Sequence, residues 1–540
     1  MVLQNIGYTV FLLGVLVVVH EFGHFIVAKS LGVKVLKFSV GFGPRLLGFT
    51  KGETEYRLSL LPLGGYVRMA GDVPGEELPA EEAHRGFLNQ PPWKRGLIVA
   101  AGPAFNLIFP VLVYIGVFLA YPQPSTRIMS IEPGLPAAIA GLQIGDRVLA
   151  VNGDAVTSFD EMRHRLGRLG DGPALLSLER DGRSFAANIT PIQIPDGSPG
   201  GHSTRAMLGI SPSPEPPVVG VPPGSAAELA GLKSFDRIVS VDGAPVKDLY
   251  SLRQRLDAHQ GAAPVELQVL RETPAPLPGT NDQVPSSVKV TLARQTGAGL
   301  AALGVERKDD YVGYVIPESP AAKAGITRGD KLLTLNGTAV QSFFLLEREL
   351  GALGANSFAL KWRHGVEVKT ASLARAPMKP DGEVKAQLLL GAEPDLGSYA
   401  ILSTSDKTRV GFAAAVRVAV WKVEEAVAQA ALGFWKWATH QIPVNSLGSP
   451  LMIYKIAAQS AQAGLATYLD RMALISVSLG VMNLLPIPIL DGFHLFAAFW
   501  EGIRRRPIPV RAREIANMVG LAMLIILMVV AFTNDLTRAG

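Results

Sequence analysis

The sequence predicts a polytopic α-helical membrane protein, with about four transmembrane helices, that carries three copies of an α+β domain in its middle. Two observations lead to this prediction. Four apolar segments are long enough to cross a bilayer, and the region between the second and third segments repeats one pattern three times. A mean hydropathy of +0.26 over 540 residues also exceeds what is usual for a soluble protein.

The apolar segments are residues 8–29, 97–120, 468–490 and 515–532. Basic residues are concentrated between the first two segments and between the last two, so the positive-inside rule places both of these loops in the cytoplasm. Both termini and the stretch 121–465 are then expected on the outer side. The first segment has neither a basic start nor a small-residue cleavage site, and we interpret it as a retained span.

Residues 20–24 read HEFGH and lie inside the first apolar segment. On a helix, His20 and His24 point the same way, as two ligands of one metal ion must. Glu21 is placed to take a proton from water held by that metal. Ionisable groups at membrane depth are costly and usually functional, so the motif predicts metal-dependent hydrolysis within a bilayer. The alternative is a chance match in a helix that faces a polar cavity.

A third protein ligand is required if two histidines and a water hold the metal. The chain has no cysteine, so this ligand must be a carboxylate or another histidine. Asp491, at the end of the third apolar segment, is the best candidate because a carboxylate there needs a partner. His494 competes with it, whereas Asp470 is expected to have an interfacial role.

The residues before Asp491 are also candidates for contact with a substrate. Asp491 belongs to the motif NLLPIPILDG, residues 483–492. Pro486 and Pro488 break the helix and free backbone groups near the predicted site. Asn483 could form a hydrogen bond with an extended chain.

The central repeats are residues 131–153, 221–243 and 315–337, which align without gaps. In each, a turn with proline leads into a short helix that ends at a glycine. A strand then follows and closes at Asn-Gly or Asp-Gly. This pattern predicts three compact domains, which we call module 1 (125–214), module 2 (215–310) and module 3 (311–395).

The modules resemble the PDZ domains of bacterial proteases. The resemblance implies a groove that holds an extended peptide by strand addition, with a Leu-Gly pair in the loop that binds the peptide carboxylate. The candidate pairs are Leu208-Gly209, Leu303-Gly304 and Leu390-Gly391. Each pair follows its repeat, which suggests circularly permuted modules. The alternative is that some modules only fill space or restrict access.

The chain as a whole resembles the site-2 protease family, and most closely the bacterial branch that cleaves anti-sigma factors. Its HEFGH, the GPAFN of residues 102–106, the modules, LPLGGYVRMAGD (61–72) and NLLPIPILDG all fit this family. The resemblance implies Zn²⁺ bound by His20, His24 and Asp491, with Glu21 as general base. It also implies that residues 35–69 form a β-hairpin that enters the membrane from the cytoplasmic side, and that Asn483 and Pro486 hold the substrate as a strand.

The same resemblance implies a protease of the bacterial inner membrane whose modules face the periplasm. Its substrates would be single-span membrane proteins already shortened by a site-1 protease, or signal-peptide remnants. The lipid bilayer is an expected partner and nucleic acid is not, because the basic residues lie beside apolar segments. Members of this branch commonly have one or two PDZ modules, and a third is a departure.

Three regions outside the modules complete the predicted organisation: an N-terminal membrane part (1–120), a connecting region (400–465) and a C-terminal membrane part (466–540). Within the connecting region, residues 411–440 have apolar positions at helical spacing and three tryptophans. They predict an amphipathic helix on the outer leaflet or one packed against the modules. The alternative functions are a non-catalytic membrane-anchored PDZ adaptor and a transporter.

Overall fold

The computed structural model describes most of the chain, and the following account concerns those residues only. They are 2–73, 76, 78–170, 172–195, 204–259, 263–273, 284–293, 295, 299–353, 357–374, 390, 392–393, 406–439, 450–506 and 509–539. They form two compact units. The first comprises residues 1–123, 195–204 and 409–540, and the second comprises 124–194 and 205–408.

The α-helices, in chain order, are α1 (Val2–Ser30), α2 (Pro92–Ala120), α3 (Pro136–Ile139), α4 (Phe159–Gly167), α5 (Ala226–Leu229), α6 (Leu249–Ala258), α7 (Pro320–Lys323), α8 (Phe343–Ala352), α9 (Phe412–Ala438), α10 (Pro450–Ala463), α11 (Leu465–Leu484), α12 (Asp491–Arg504) and α13 (Val510–Ala539). Two short 3₁₀ helices cover Ala83–Arg85 and Gly299–Leu303.

The strands are β1 (Val35–Lys51), β2 (Thr54–Met69), β3 (Gln123–Pro124), β4 (Ser130–Ile131), β5 (Arg147–Val151), β6 (Asp154–Ala155), β7 (Ala174–Arg180), β8 (Arg183–Ile189), β9 (Ile192–Pro195), β10 (Thr204–Met207), β11 (Ile210–Ser211), β12 (Val219–Gly220), β13 (Arg237–Val241), β14 (Ala244–Pro245), β15 (Val265–Thr273), β16 (Val284–Leu292), β17 (Glu306–Arg307), β18 (Tyr314–Val315), β19 (Lys331–Leu335), β20 (Thr338–Ala339), β21 (Ser357–His364), β22 (Glu367–Ala374), β23 (Ala392–Glu393) and β24 (Lys407–Thr408).

Three helices of the first unit are long and apolar enough, within the described residues, to cross a membrane. They are Leu3–Ser30, Pro92–Ala120 and Leu465–Leu484, and they correspond to the first three predicted segments. The fourth predicted segment lies in α13, whose apolar part, Glu514–Val530, is shorter. The helices α1, α11 and α12 all pack against α2, so α2 is the centre of this unit.

The close approach of α1 to α2 depends on small residues. A β-carbon built on Gly23 would lie 2.3 Å from the carbonyl oxygen of Ala101, well inside contact distance. Glycine therefore lets the two backbones touch, as small residues commonly do between membrane helices. This contact brings the HEFGH turn of α1 against the GPAFN turn of α2.

The hairpin expected at residues 35–69 is present. The strands β1 and β2 pair antiparallel and connect through Gly52 and Glu53, with Gly52 at a φ of 63°. Several of its large apolar side chains are exposed, as expected for a hairpin in contact with lipid: Phe42, Leu46, Leu47, Phe49 and Leu60. The position of this hairpin in a bilayer stays a prediction.

The helix predicted from residues 411–440 is α9, and one of its faces is buried. It packs against α2 and α11 through a stripe of small residues that includes Ala414, Ala415 and Ala419. On the same helix, the Lys422 ammonium lies 2.9 Å from the Asp470 carboxylate of α11. Asp470 therefore joins two helices of the first unit.

The cores and four-stranded sheets of the three modules lie in the second unit, and the modules share one architecture. Each has its own buried core and a four-stranded antiparallel sheet, in the orders β6-β5-β7-β8, β14-β13-β15-β16 and β20-β19-β21-β22. In each, a late strand returns to pair with an early one: β11 with β4, β17 with β12 and β23 with β18. This pairing is what circular permutation predicts.

A buried aspartate stabilises the same turn in every module. Asp146, Asp236 and Asp330 each accept a hydrogen bond from the backbone amide three residues earlier, at 2.8–2.9 Å. Arg180 pairs with Asp146 in module 1, and Arg271 pairs with Asp236 in module 2. Module 3 has His364 in the equivalent place, 2.9 Å from Asp330. The repeat therefore extends from sequence to side-chain contacts.

Candidate metal centre

Three predicted ligands meet where α1 faces the start of α12. The Nε2 atoms of His20 and His24 lie 3.2 Å apart. An Asp491 carboxylate oxygen lies 3.0 Å from the first of these nitrogens and 3.4 Å from the second. These side chains are 12–22% exposed, so the cluster is largely buried.

The spacing of these atoms fits a zinc ion. Ligands about 2.0–2.1 Å from a tetrahedral zinc lie roughly 3.3 Å from each other. The three observed separations, 3.0, 3.2 and 3.4 Å, lie close to this value. Two imidazoles and one carboxylate also form a donor set typical of catalytic zinc, with the fourth position left for water or substrate. Within the described residues, this is the group of His, Asp and Glu side chains that could hold a metal.

The orientation of His24 is fixed from α2. Its Nδ1 lies 2.8 Å from the carbonyl oxygen of Ile98. A carbonyl can only accept, so Nδ1 carries the hydrogen and Nε2 keeps its lone pair toward the cluster. A partner of this kind on the far side of the ring is the rule for histidines that bind metals.

Glu21 is placed beside the cluster and touches the hairpin. The backbone amide of Val67, on β2, donates a hydrogen bond to its carboxylate. A β-carbon built on Gly65 would lie 3.2 Å from Cγ of Glu21. The strand β2 therefore passes directly over the residue predicted to act as the base.

Two residues of GPAFN that our interpretation of the sequence left without a role lie at the cluster. A β-carbon on Gly102 would be 2.3 Å from Nε2 of His24, so glycine leaves the room that the imidazole occupies. The side-chain amide of Asn106 lies 3.2 Å from Nδ1 of His20. The signal available in the sequence was Asn106 itself, because a polar side chain inside an apolar segment needs a partner.

The other predicted site residues lie at the end of α11, in the segment that follows it and on α12. Asn483 is in the last turn of α11, and Pro486 follows in the segment that leads to Asp491. His494 is on α12 and is not part of the described cluster of potential ligands. The roles of Asn483 and Pro486 in substrate binding stay predictions, as do the individual roles of His20, His24, Glu21 and Asp491.

Similarity to known proteins extends over nearly the whole chain. The regulator of sigma-E protease RseP of Escherichia coli is 31% identical, covering 97% of both chains. The regulator of sigma E protease of Salmonella typhimurium LT2 is 30% identical over 99% of both. A protein of Neisseria meningitidis, described as a zinc metalloprotease, is 30% identical over 98% of both.

A sequence profile assigns the family directly. Residues 8–527 match the profile of peptidase family M50, and this range includes HEFGH, the three modules and Asp491. The family resemblance inferred from the motifs is thus confirmed. The chain belongs to peptidase family M50.

Proposed function

We propose that this protein is a zinc-dependent intramembrane endopeptidase that cleaves the membrane segments of single-span proteins. The observation that carries this proposal is the meeting of His20, His24 and Asp491 beside Glu21, at the contact between apolar helices. The similarity to peptidases that regulate sigma-E supports anti-sigma factors as the substrate class. A non-catalytic adaptor is not favoured, because it would need none of these four residues.

The proposed reaction is hydrolysis of a peptide bond. When bound, zinc supplies a Lewis acid for the scissile carbonyl and makes water a nucleophile near neutral pH. His20, His24 and Asp491 would hold the ion. Glu21 takes the proton from the attacking water and delivers it to the leaving amine.

A substrate must be extended before it can react, because a transmembrane helix shields its own carbonyls. The hairpin lies at the right place to help, since β2 contacts Glu21 through Val67 and Gly65. We propose that an unwound substrate segment lies along this hairpin as an added strand. Asn483 and Pro486, just before Asp491, would hold the other side of that segment.

The modules are proposed to restrict which substrates reach the membrane site, from the periplasmic face of the bacterial inner membrane. Full-length proteins would be excluded, and those trimmed by a site-1 protease admitted.

The Leu-Gly pairs that are expected to bind a peptide carboxylate differ between the modules in their backbone contacts. In module 1 the carbonyl of Leu208 accepts from the Ala137 amide, and module 3 has the same bond at Leu390, although Gly391 lies outside the described residues.

Module 2 differs from module 1 at its Leu-Gly pair. Leu303 ends a 3₁₀ helix, and the amides of Gly304 and Val305 donate to carbonyls of that helix at 3.0 and 3.3 Å. Amides already bonded in this way cannot bind a peptide carboxylate. We propose that module 2 serves as a spacer, and that any recognition of a free C-terminus belongs to modules 1 and 3.

The test of the proposed function is Glu21→Gln, measured for metal content and for cleavage on the same preparation. The variant should keep zinc, because Glu21 is outside the ligand cluster. It should lose about 10²–10⁴-fold in cleavage rate, the usual contribution of a general base. The control is the wild-type protein treated with a chelator and then reloaded with zinc. A zinc-loaded variant that still cleaves at the wild-type rate would rule out Glu21 as the base.

A further inference from the structure

Asn106 is a buried polar side chain, and only one of the two ends of its amide has a hydrogen-bond partner. It lies on α2 and is 1% exposed. Its amide nitrogen is 3.2 Å from Nδ1 of His20, and its backbone carbonyl accepts a hydrogen bond from the Ser476 hydroxyl at 2.8 Å. Its side-chain oxygen is buried and has no hydrogen-bond partner among the described residues. A buried carbonyl oxygen without a donor is costly.

Rotation of the amide by 180° gives this oxygen a donor on His20 and turns the amide nitrogen toward the position that the oxygen left. The two ends of an asparagine amide have the same shape, and only the hydrogen-bond network distinguishes them. With the oxygen toward His20, it accepts from Nδ1–H of the imidazole. The Nε2 of His20 then keeps its lone pair on the side of Asp491 and His24, as a metal ligand must. With the nitrogen toward His20, Nδ1 would be the acceptor and Nε2 would carry the hydrogen.

The second histidine provides independent support for this orientation. His24 already has an acceptor on α2, the carbonyl of Ile98, at 2.8 Å from Nδ1. Asn106 lies on the same helix, eight residues further along. The helix α1 carries both histidines, and α2 would thus supply a hydrogen-bond acceptor to the Nδ1 atom of each.

We propose that Asn106 is a positioning residue, whose side-chain oxygen holds His20 with Nε2 toward the metal. This inference rests on the proposed function, because it assumes that His20 binds zinc. It goes beyond that function in assigning a role to α2, which contributes no ligand. The partner of a ligating histidine typically changes metal affinity by about 10–100-fold when removed.

The experiment compares Asn106→Leu with Asn106→Asp in the full-length protein. Leucine has a similar size and no acceptor, whereas aspartate keeps an acceptor oxygen and has no amide hydrogens. Zinc affinity is measured by competition with a chelator, and the visible spectrum of the cobalt-substituted protein reports the ligand geometry. We expect Asn106→Leu to bind zinc about 10–100-fold more weakly, with an altered cobalt spectrum. Asn106→Asp should bind within a few-fold of the wild type, with an unchanged spectrum.

Ser476→Ala is the matched control for packing. Ser476 contacts the backbone of Asn106 from α11 but is not a partner of His20, so its loss should leave zinc affinity and the cobalt spectrum unchanged. If Asn106→Leu fails to fold, the Asn106→Asp variant decides alone, because its side chain can only accept a hydrogen bond from His20: zinc affinity within a few-fold of the wild type supports the inference, and weaker binding overturns it.

Two outcomes overturn the inference. One is wild-type zinc affinity in Asn106→Leu, and the other is weak binding in Asn106→Asp. Failure of the proposed function itself gives a different result. In that case the wild-type protein binds no zinc, or His20→Ala binds as much zinc as the wild type.

Discussion

Gly102 of α2 and His24 of α1 are in such close contact that a single β-carbon on Gly102 would lie 2.3 Å from Nε2 of His24. A β-carbon does not approach a non-bonded heavy atom so closely, so any larger residue must displace the imidazole or separate the helices. The metal centre therefore depends on a residue that has no side chain. Its geometry is determined by how closely two membrane helices pack.

This contact predicts the effect of Gly102→Ala. The added methyl group must move His24, at a strain cost of about 1–3 kcal/mol, and this cost should appear as weaker zinc binding and slower cleavage. Gly116→Ala is the matched control, since Gly116 lies on the same helix with open space around it. Metal titration and a cleavage assay on both variants check the prediction. Equal zinc affinity in the two variants would show that the helices separate without cost.

The third ligand can be tested by comparing Asp491→Ala with His494→Ala. The first change leaves two protein ligands for zinc, so occupancy should fall strongly after dialysis against a weak chelator. The second should leave occupancy nearly unchanged, because His494 is outside the described cluster of potential ligands. Metal analysis of both purified variants provides the measurement. The reverse pattern would identify His494 as the ligand.

Much of the candidate centre could be predicted from the sequence because the chemistry is local. The spacing of His20 and His24 defines a ligand pair on any helix, and a carboxylate at the end of an apolar segment needs a partner. Asp491 could be chosen as the candidate third ligand from this position alone, without knowledge of the fold. The structure places it 3.0 Å from His20.

The contributions of α2 and of the hairpin could not be predicted in the same way. The carbonyl of Ile98 has no signature in sequence, because every residue has a carbonyl. That β2 passes over Glu21 depends on the way a hairpin packs against a helix. For α9, the three tryptophans suggested a membrane surface, whereas its alanine stripe records the face that packs against α2 and α11.

The Leu-Gly pairs of the modules are a second example of contacts that could not be predicted from the sequence. Leu208-Gly209 and Leu303-Gly304 have identical sequences, and both glycines have positive φ angles, of 80° and 68°. Only the second pair follows a 3₁₀ helix that uses its amides. Recognition of a peptide carboxylate depends on backbone amides that are free to donate. The Leu-Gly sequence alone does not reveal whether its amides are free.

A pH dependence is expected where Glu215 meets Arg307 in the second unit. The Glu215 carboxylate is 9% exposed and lies 3.0 Å from the Arg307 guanidinium. Arg307 also pairs with Asp309, and Glu132 and Lys308 are the other charged groups near Glu215. Burial raises the pKa of Glu215 to about 7, because desolvation outweighs the attraction of Arg307.

A raised carboxylate pKa means that the folded state holds the proton more tightly than the unfolded state. The resulting stabilisation is fully present below pH 4.5 or so and is lost as pH rises through about 7. The second unit should therefore be more stable at pH 5.5 than at pH 8. Hydrogen exchange near Leu249, whose amide donates to the Glu215 carbonyl, should slow at the lower pH after correction for intrinsic rates.

The control for this pH effect is a pair of substitutions. Glu215→Gln should reduce the pH dependence, because the amide does not titrate, and the raised pKa of Asp310, about 6, leaves a smaller part of it in place. Glu266→Gln, at an exposed carboxylate paired with Lys289, should leave it in place. If Glu215→Gln retained the full difference in protection between pH 5.5 and pH 8, another group would have to be responsible.

The last prediction concerns the modules as a size filter. Apart from residues 195–204, all three lie in the second unit, whereas His20, Glu21, His24 and Asp491 lie in the first. The proposed chemistry therefore requires none of the modules' residues. Steric exclusion depends on bulk rather than on any one contact.

Replacing residues 125–395 by a flexible linker should therefore preserve cleavage of a substrate already shortened outside the membrane. The same variant should also cleave that substrate with its outer domain intact, which the full-length enzyme should refuse. Glu21→Gln in the shortened protein provides the control, because it should abolish both cleavages. A shortened protein that binds zinc, cleaves the trimmed substrate and still rejects the intact one would place the discrimination in the membrane unit, where the hairpin beside Glu21 is the first element to examine.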